Sequence, residues 1–254
     1  AFNNIKYVMM DIDDTLTLDE QLPAAAYSAL ERLKNAGFGL VPVTGRPAGW
    51  CDLIACLWPV DGVVGENGAF YFRWLRSENS MVRRFLKTDE ELKTDRGKLS
   101  AVARDVLAEV PGVKVAEDQA YRAADLAIDY RLGDPPAGPR EIEKIIGIFS
   151  RHGAVSKLSS IHVNGWFGEY DKLEMAKIMF REVFGETPES LKNKVLYAGD
   201  SPNDSPMFGF FNHSAGVANV RDFEDRMDHL PTWITEKRGG YGFEEIADAL
   251  LKTK

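Results

Sequence analysis

Cysteine and long apolar runs are scarce in this chain of 254 residues. The two cysteines, Cys51 and Cys56, lie five positions apart, which matches neither a CxxC redox pair nor half of a zinc site. We interpret them as small apolar side chains on a helix. No apolar run reaches the roughly 18 residues of a membrane span, and the short run at 7–10 leads into acidic residues rather than a cleavage site. We therefore expect a cytoplasmic protein without membrane partners.

Positive charge is also in short supply, because 31 Lys and Arg residues face 39 Asp and Glu residues, a net charge of −8. Binding a nucleic-acid backbone needs a basic face, so this balance argues against a nucleic-acid partner. The chain also lacks internal repeats and low-complexity tracts. Its length suffices to bury an apolar core without a structural metal or disulfides. Small-molecule chemistry is favoured, and the oligomeric state stays open between monomer and homodimer.

Short apolar runs alternate with amphipathic segments over most of the chain. This alternation predicts an α/β fold, with a Rossmann-like, doubly wound parallel sheet as its core. The core strands are predicted at 7–10, 38–43, 62–64, 69–74, 195–198, 215–217 and 232–234. The core helices are predicted at 23–36, 47–57, 172–184, 204–210 and 243–251.

The pattern changes in the middle of the chain, where helices and strands mix. Helices are predicted at 88–109 and 140–151, and strands at 113–116, 126–130 and 158–163. We predict a catalytic core formed by residues 1–82 and 169–254, interrupted by an inserted α+β cap domain at 83–168. The Gly- and Pro-rich segment 133–139 is interpreted as a turn within that insertion.

The most informative motif is Asp11-Ile12-Asp13-Asp14-Thr15, directly after the first predicted strand. In an open α/β sheet, ligands bind at the carboxyl ends of the strands. Two carboxylates two positions apart can there act on one centre, one as a nucleophile and the other as an acid or base. Taken alone, the same residues could simply end a strand and cap a turn.

Two further polar motifs follow predicted strands. Thr44-Gly45-Arg46 combines a hydroxyl with free backbone N–H groups, which suits a phosphoryl oxygen. In the segment 199–204, Asp200 and Asp204 suit Mg²⁺, which prefers hard oxygen ligands. Asp204 alone could equally be a helix cap.

Together these motifs resemble those of the haloacid dehalogenase (HAD) superfamily of phosphatases, in the branch with a large cap inserted after the third core strand. The resemblance covers essentially the whole chain, and Lys172 matches the remaining motif of the family. The segments 65–68 and 121–125 look closest to the Cof-like, phosphoglycolate, mannosyl-3-phosphoglycerate and sucrose phosphatases. One departure is Asp14, where the family often has glycine.

The resemblance implies catalytic roles for four residues. Asp11 would attack phosphorus and form an aspartyl-phosphate, while Asp13 would protonate the leaving group and then activate water. Thr44 and Lys172 would bind the transferring oxygens. Mg²⁺ would be the cofactor, with Asp11, Asp13 through its backbone carbonyl, Asp200 and Asp204 as the metal site; Asp204 could act directly or as a support for the ligands.

Substrate recognition is expected from both the core and the cap. The residues predicted to bind substrate are Gly45, Arg46, Asn67, Asn203, His162 and Asn164. In the cap, alternation along a strand would put His162 and Asn164 on one face with Trp166 beside them, although His162 and Trp166 could instead belong to the cap's own interior. Arg122 and Arg131 could pair with a substrate carboxylate or be solvated. Glu66 is expected to face the site together with Asn67, and Trp50 is assigned to packing.

The resemblance thus implies a Mg²⁺-dependent phosphatase of a small phosphorylated metabolite, either a sugar phosphate or a phosphorylated hydroxy acid such as phosphoglycolate. A phosphomutase of the same superfamily is the alternative. A non-catalytic phospholigand-binding protein is a third hypothesis, disfavoured because every motif residue is present. Dehalogenase chemistry is disfavoured because Asp13 supplies an acid that halide departure does not need.

Overall fold

The computed structural model describes residues 4–131, 136–159 and 161–253. The strands, in chain order, are β1 (Tyr7–Met10), β2 (Gly39–Pro42), β3 (Val63–Gly65), β4 (Phe70–Leu75), β5 (Ser80–Phe85), β6 (Lys114–Val115), β7 (Leu126–Asp129), β8 (Val155–Leu158), β9 (His162–Trp166), β10 (Val195–Gly199), β11 (His213–Gly216) and β12 (Trp233–Ile234). The α-helices are α1 (Ala24–Asn35), α2 (Ala48–Leu57), α3 (Asp89–Glu109), α4 (Pro139–Arg151), α5 (Lys172–Met179), α6 (Pro188–Lys194), α7 (Ser205–Phe210) and α8 (Gly239–Leu251). No helix within these described ranges combines the length and apolar character needed to cross a membrane.

The core is a parallel sheet with the strand order β12-β11-β10-β1-β2. At the carboxyl end of β1, Met10 lies beside Ala198 of β10 on one side and Pro42 of β2 on the other. A parallel bridge between Val43 and Val64 connects β2 to β3, which forms an antiparallel sheet with β4 and β5. The carboxyl ends of β1, β2, β3 and β10 therefore meet along one edge.

Helices cover both faces of this sheet, because its central strands are apolar on both sides. Val8 and Met10 pack with side chains of α1, α2 and α8 in one cluster, while Met9 packs with side chains of α5, α6 and α7 in another. Alternate residues of a strand point to opposite faces, so a strand covered on both faces needs an apolar residue at every position. The predicted doubly wound α/β fold is confirmed.

The inserted region forms its own antiparallel sheet with the order β6-β7-β9-β8. Helices α3 and α4 pack on it through an apolar cluster that includes Leu99, Val102, Ile145 and Phe149. We call residues 83–168 the cap, using the range predicted from the sequence. That division stays a prediction, and its first residue lies inside β5, which pairs with β4.

Some predicted elements differ from the structure. The prediction of a single strand at 158–163 is wrong, because β8 and β9 are separate antiparallel strands. The chain turns between them, where the Ser159 hydroxyl accepts a hydrogen bond from the backbone N–H of His162 at 3.0 Å. β5 and α6 were not predicted; β5 is a half-exposed hairpin strand with a weak apolar pattern. The turn predicted at 133–139 lies partly outside the described residues.

Candidate active site

The polar motifs of the sequence meet at one edge of the core sheet. Asp11 directly follows β1 and Asp200 directly follows β10, while Thr44 lies two residues beyond β2. Because these strands run in the same direction, their carboxyl ends bring the three side chains together, as the sequence predicts. All three are buried.

Lys172 is the buried cation at the centre of this edge. Its Nζ donates hydrogen bonds to Asp11 Oδ1 at 2.9 Å, to Asp204 Oδ1 at 2.7 Å and to Asn203 Oδ1 at 3.2 Å. Burial alone would lower the pKa of Lys172, but Asp11 and Asp204 raise it above its ordinary value. Lys172 begins α5, where Asp171 caps the helix by accepting the backbone N–H of Glu174. The lysine is therefore held as a charged group against Asp11.

Asp11, Asp200 and Asp204 form a buried acidic triad whose ligand atoms lie within 4.8 Å of one another. Asp200 Oδ1 accepts a hydrogen bond from Thr15 at 3.0 Å, while its buried Oδ2 has no partner among the described residues. Burial and the neighbouring carboxylates raise the pKa of Asp200 well above its usual range. Burial, Asp204 and Asp13 raise that of Asp11 to about 8, against the opposing effect of Lys172. This donor set fits a divalent cation such as Mg²⁺, which would relieve the repulsion.

Asp204 holds the other groups of the site in place. Its Oδ1 accepts hydrogen bonds from Lys172 and, at 2.5 Å, from the hydroxyl of Tyr197. Its Oδ2 accepts the backbone N–H groups of Asp200 at 2.9 Å and Ser201 at 3.2 Å. Tyr197 was not identified from the sequence, although a tyrosine in the middle of a buried strand signals that its hydroxyl needs a partner.

Asp13 pairs with Arg46 instead of joining the triad. The Arg46 Nε donates to both carboxylate oxygens of Asp13, at 2.8 and 3.1 Å, and Nη2 lies 2.7 Å from Oδ1. The guanidinium also lies 4.4 Å from the ring centroid of Trp50. The assignment of Trp50 to packing is therefore incomplete, because this side chain is 45% exposed and stacks on a site residue.

The loops after β2 and β3 supply small polar groups. The Thr44 hydroxyl accepts the backbone N–H of Arg46 at 3.0 Å. Asn67 accepts a hydrogen bond from Asn203 at 3.4 Å, and within the described ranges its buried Nδ2 has no partner. A Cβ on Gly45 would lie 3.2 Å from that nitrogen, so a larger residue there would require the Asn67 side chain to shift. An amide donor is thus available beside the Thr-Gly loop.

A small cavity joins the core residues to the cap. The residues that line it are Asp11, Asp13, Gly45, Arg46, Ser159, Ile161, His162, Asn164 and Asn203. His162 and Asn164, both predicted as cap contributions, therefore reach the same cavity as Asp11. Trp166 is fully buried and stacks on Tyr170, which matches the alternative of a structural role.

Two arginines of the cap differ in the exposure of their side chains. The fully buried side chain of Arg122 donates to Asp118, to Asp125 and to the backbone carbonyl of Gly45. The two carboxylates therefore neutralise the charge of Arg122 within the protein. Arg131 is 43% exposed and lines a neighbouring polar cavity together with Asp118, Asp129 and His162.

Glu66 is not among the residues that line the small cavity, contrary to expectation. Its carboxylate is buried and accepts backbone N–H groups from Ala48 of α2 and from the cap segment 123–125. Asn67, the next residue, points to Asn203. Glu66 and Asn67 therefore contact different parts of the molecule, which the sequence pattern alone does not reveal.

Solved structures resemble the chain over nearly its whole length. A protein from Thermoplasma acidophilum is 17% identical, with a TM-score of 0.73 and coverage of 98% of this chain and 99% of that chain. A HAD/COF-like hydrolase from Plasmodium vivax is 16% identical, with a TM-score of 0.71 and coverage of 99% and 97%. The sucrose-phosphatase of Synechocystis, solved with sucrose and phosphate, is 15% identical, with a TM-score of 0.65 and coverage of 97% and 98%.

No protein-family model and no curated protein matches the chain. At such low identities the structural likeness establishes the fold alone. The four motifs predict the same fold, and their residues lie along the sheet edge. The chain has the fold of the haloacid dehalogenase-like hydrolases that carry a cap.

Proposed function

We propose that this protein is a Mg²⁺-dependent phosphatase of a small phosphorylated metabolite. The observation that carries the proposal is the pairing of buried Asp11 with Lys172, at 2.9 Å, on the wall of a cavity that Asp13 also lines. A nucleophile, a fixed cation and a separate carboxyl group are the parts that phosphoryl transfer to an aspartate requires. The similarity to a sucrose-phosphatase supports this class of reaction.

The reaction would proceed in two displacements. In the first, Asp11 forms a bond to phosphorus while the P–O bond of the ester breaks, and Asp13 gives a proton to the leaving oxygen. In the second, water attacks the aspartyl-phosphate while Asp13 takes a proton from it. Phosphate leaves and Asp11 is regenerated. Arg46, which holds both oxygens of Asp13, would orient this acid and base.

The transferring oxygens would be bound by groups around Asp11. Lys172 would neutralise charge on them, and the amide of Asn67 and the Thr44 hydroxyl would donate hydrogen bonds. Asp11, the backbone carbonyl of Asp13 and Asp200 would hold Mg²⁺, and Asp204, whose two oxygens each accept two hydrogen bonds, would support these ligands. When bound, this ion supplies the positive charge that lets an anionic phosphate approach the Asp11 carboxylate.

Among substrates, the polar surroundings favour a sugar phosphate over phosphoglycolate. Arg122, one of the two arginines expected to pair with a substrate carboxylate, already has its charge paired with Asp118 and Asp125. In the cavity that adjoins His162, the carboxylates of Glu20, Glu117, Asp118 and Asp129 outnumber the guanidinium groups of Arg46 and Arg131, so the net negative charge would repel an acidic leaving group. Neutral hydroxyls could instead bind to carboxylates and to His162.

The test is phosphate release from a panel of sugar phosphates and phosphoglycolate, with and without Mg²⁺. We expect metal-dependent release that Asp11→Asn abolishes, while Asp222→Asn, at an exposed ion pair, leaves it unchanged. No release by the folded protein, or full activity of Asp11→Asn, would refute the proposal. Phosphate transfer between positions of a sugar, with a bisphosphate activator, would favour a phosphomutase instead.

We also propose a cytoplasmic location and the absence of nucleic-acid and membrane partners. They would be tested in the cell rather than by the assay above.

A further inference from the structure

Glu66 is a fully buried carboxylate at the boundary between the core and the cap. Its Oε1 accepts the backbone N–H groups of Ala48 at 2.9 Å and Ala123 at 2.8 Å. Its Oε2 accepts those of Ala124 at 2.6 Å and Asp125 at 3.1 Å. One side chain thus satisfies four backbone donors from two separate parts of the chain.

These donors connect the catalytic core to the cap. Ala48 is the first residue of α2, where backbone N–H groups lack partners within the helix and a negative charge is favourable. The other three donors form a continuous segment, residues 123–125, which leads into β7 of the cap sheet. Glu66 therefore joins the start of a core helix to the start of a cap strand.

The segment that Glu66 holds is connected in two ways to the small cavity lined by Asp11 and Asn164, which we call the catalytic cavity. Asp125 Oδ2 accepts a hydrogen bond at 2.9 Å from Asn164, which lines the cavity. Arg122 donates at 2.9 Å both to Asp125 Oδ1 and to the backbone carbonyl of Gly45, in the Thr-Gly loop. The position of residues 122–125 thus sets the positions of Asn164 and of that loop.

The backbone at Glu66 is consistent with such a constraint. Glu66 and Asn67 both have positive φ angles, 43° and 54°, a conformation that non-glycine residues rarely adopt. Their backbone N–H groups donate to the carbonyls of Arg46 and Thr44. This turn directs Glu66 to the cap and Asn67 to Asn203, so the strained backbone conformation allows both contacts.

We propose that Glu66 is a positioning residue, which fastens the cap segment 123–125 to the N-terminus of α2 and so holds Asn164 over the catalytic cavity. The proposal rests on the proposed phosphatase function for its kinetic consequence. Its structural part, the fastening of the cap segment, is independent of any activity.

The structural part is tested by hydrogen exchange of the full chain at pH 8. Glu66→Gln keeps the size of the side chain but turns an N–H₂ group toward backbone donors, so at least two of the four bonds are lost. We expect amide exchange at 48 and 123–125 to become about tenfold faster, with no change in α3. The matched control is Asp95→Asn on α3, another buried carboxylate, which pairs with Lys87 ahead of that helix and with Lys98 on it.

The control should raise exchange near α3 and leave 123–125 protected. Unchanged exchange at 123–125 in Glu66→Gln would overturn the proposal. If that variant does not fold, Glu66→Asp is measured in the same way, because it keeps the charge but is one methylene too short to reach both partners. The same local loss of protection is expected, and its absence would equally overturn the proposal.

The kinetic part compares esters with large and small leaving groups. Glu66→Gln should raise KM about tenfold for the best sugar phosphate, because Asn164 is no longer held over its leaving group, and change kcat little. Acetyl phosphate, which is too small to need Asn164, should keep its kcat/KM. Equal loss for both substrates would indicate a merely structural role and refute the positioning role. If the wild type releases no phosphate, the phosphatase proposal fails, while the exchange test still decides whether Glu66 holds the cap.

Discussion

Replacing Lys172 with methionine should strongly destabilise the metal-free protein. Methionine has a similar length but no charge, and the ammonium group of Lys172 is almost fully buried. Its loss would leave Asp11 and Asp204 without their shared cation. A buried charge without a partner is among the most costly features that a substitution can create.

The magnitude follows from the two ion pairs, at 2.9 Å and 2.7 Å. At an effective dielectric constant of about 20, each attraction is about 6 kcal/mol before the cost of desolvation is subtracted. Removing one partner of a buried ion pair costs about 3–5 kcal/mol net. In a protein of this size each kcal/mol lowers Tm by about 2–4 °C, so we expect Tm to fall by about 6–20 °C.

The assay is thermal unfolding in the presence of EDTA, with Lys177→Met as the matched control. Lys177 lies on the same helix and pairs with Glu174 near the surface, so its loss should cost less than about 1 kcal/mol. Adding Asp11→Asn to Lys172→Met should cost less than the sum of the two single changes, because it removes one of the two carboxyl groups that lose their shared cation. Equal Tm values for Lys172→Met and the wild type would refute this account of the site.

Three further predictions concern the supports and charges of the site. Gly68→Ala should lower both stability and activity, because Gly68 has a φ of 107° and a Cβ there would lie 2.0 Å from the backbone oxygen of Asp171, whereas Gly97→Ala, in open space on α3, should raise Tm slightly. Mg²⁺ at about 100 times its Kd for the wild type should raise the free energy of unfolding of the wild type by about 2.7 kcal/mol. If the same Mg²⁺ concentration raised the Tm of Asp200→Asn as much as that of the wild type, the proposed metal site would be contradicted. Burial and Asp125 raise the pKa of Glu66 from 4.5 to about 7, so the part of its contribution to stability that depends on protonation is fully present below pH 4.5 and is lost as the pH rises through 7. The stability of the wild type relative to Glu66→Gln should therefore decline between pH 5 and 8 in urea unfolding, and an increase would contradict the raised pKa.

The position of the site is predictable from sequence because it depends on local patterns. β1 is apolar at consecutive positions, which identifies a strand covered on both faces, and Asp11 follows it directly. Asp200 likewise follows β10 directly, and Thr44 lies two residues beyond β2. Parallel strands then bring these residues to one edge without further information.

The contacts between distant segments are not predictable in the same way. Tyr197 and Glu66 are ordinary members of a strand and a turn in the sequence, and their partners are set by packing between elements. Glu66 bonds to a segment that follows it by 57 to 59 positions. Its left-handed backbone is also invisible to propensity, because non-glycine residues adopt it only where surrounding structure imposes it.

Charge balance at the sheet edge gives an argument for a divalent cation that needs no related protein. Three buried carboxylates, Asp11, Asp200 and Asp204, surround one buried ammonium group, so full ionisation would leave two negative charges uncompensated. Asp13 does not alter this balance, because Arg46 neutralises it separately. Without a cation, burial raises the pKa of Asp11 to about 8 and that of Asp200 well above its usual range, which means that bound protons must supply part of the missing charge. A nucleophilic carboxylate is of use only when it is ionised, and a divalent cation held by these oxygens would favour that state. The proposed requirement for a metal would therefore follow from the gathering of three carboxylates around a single lysine.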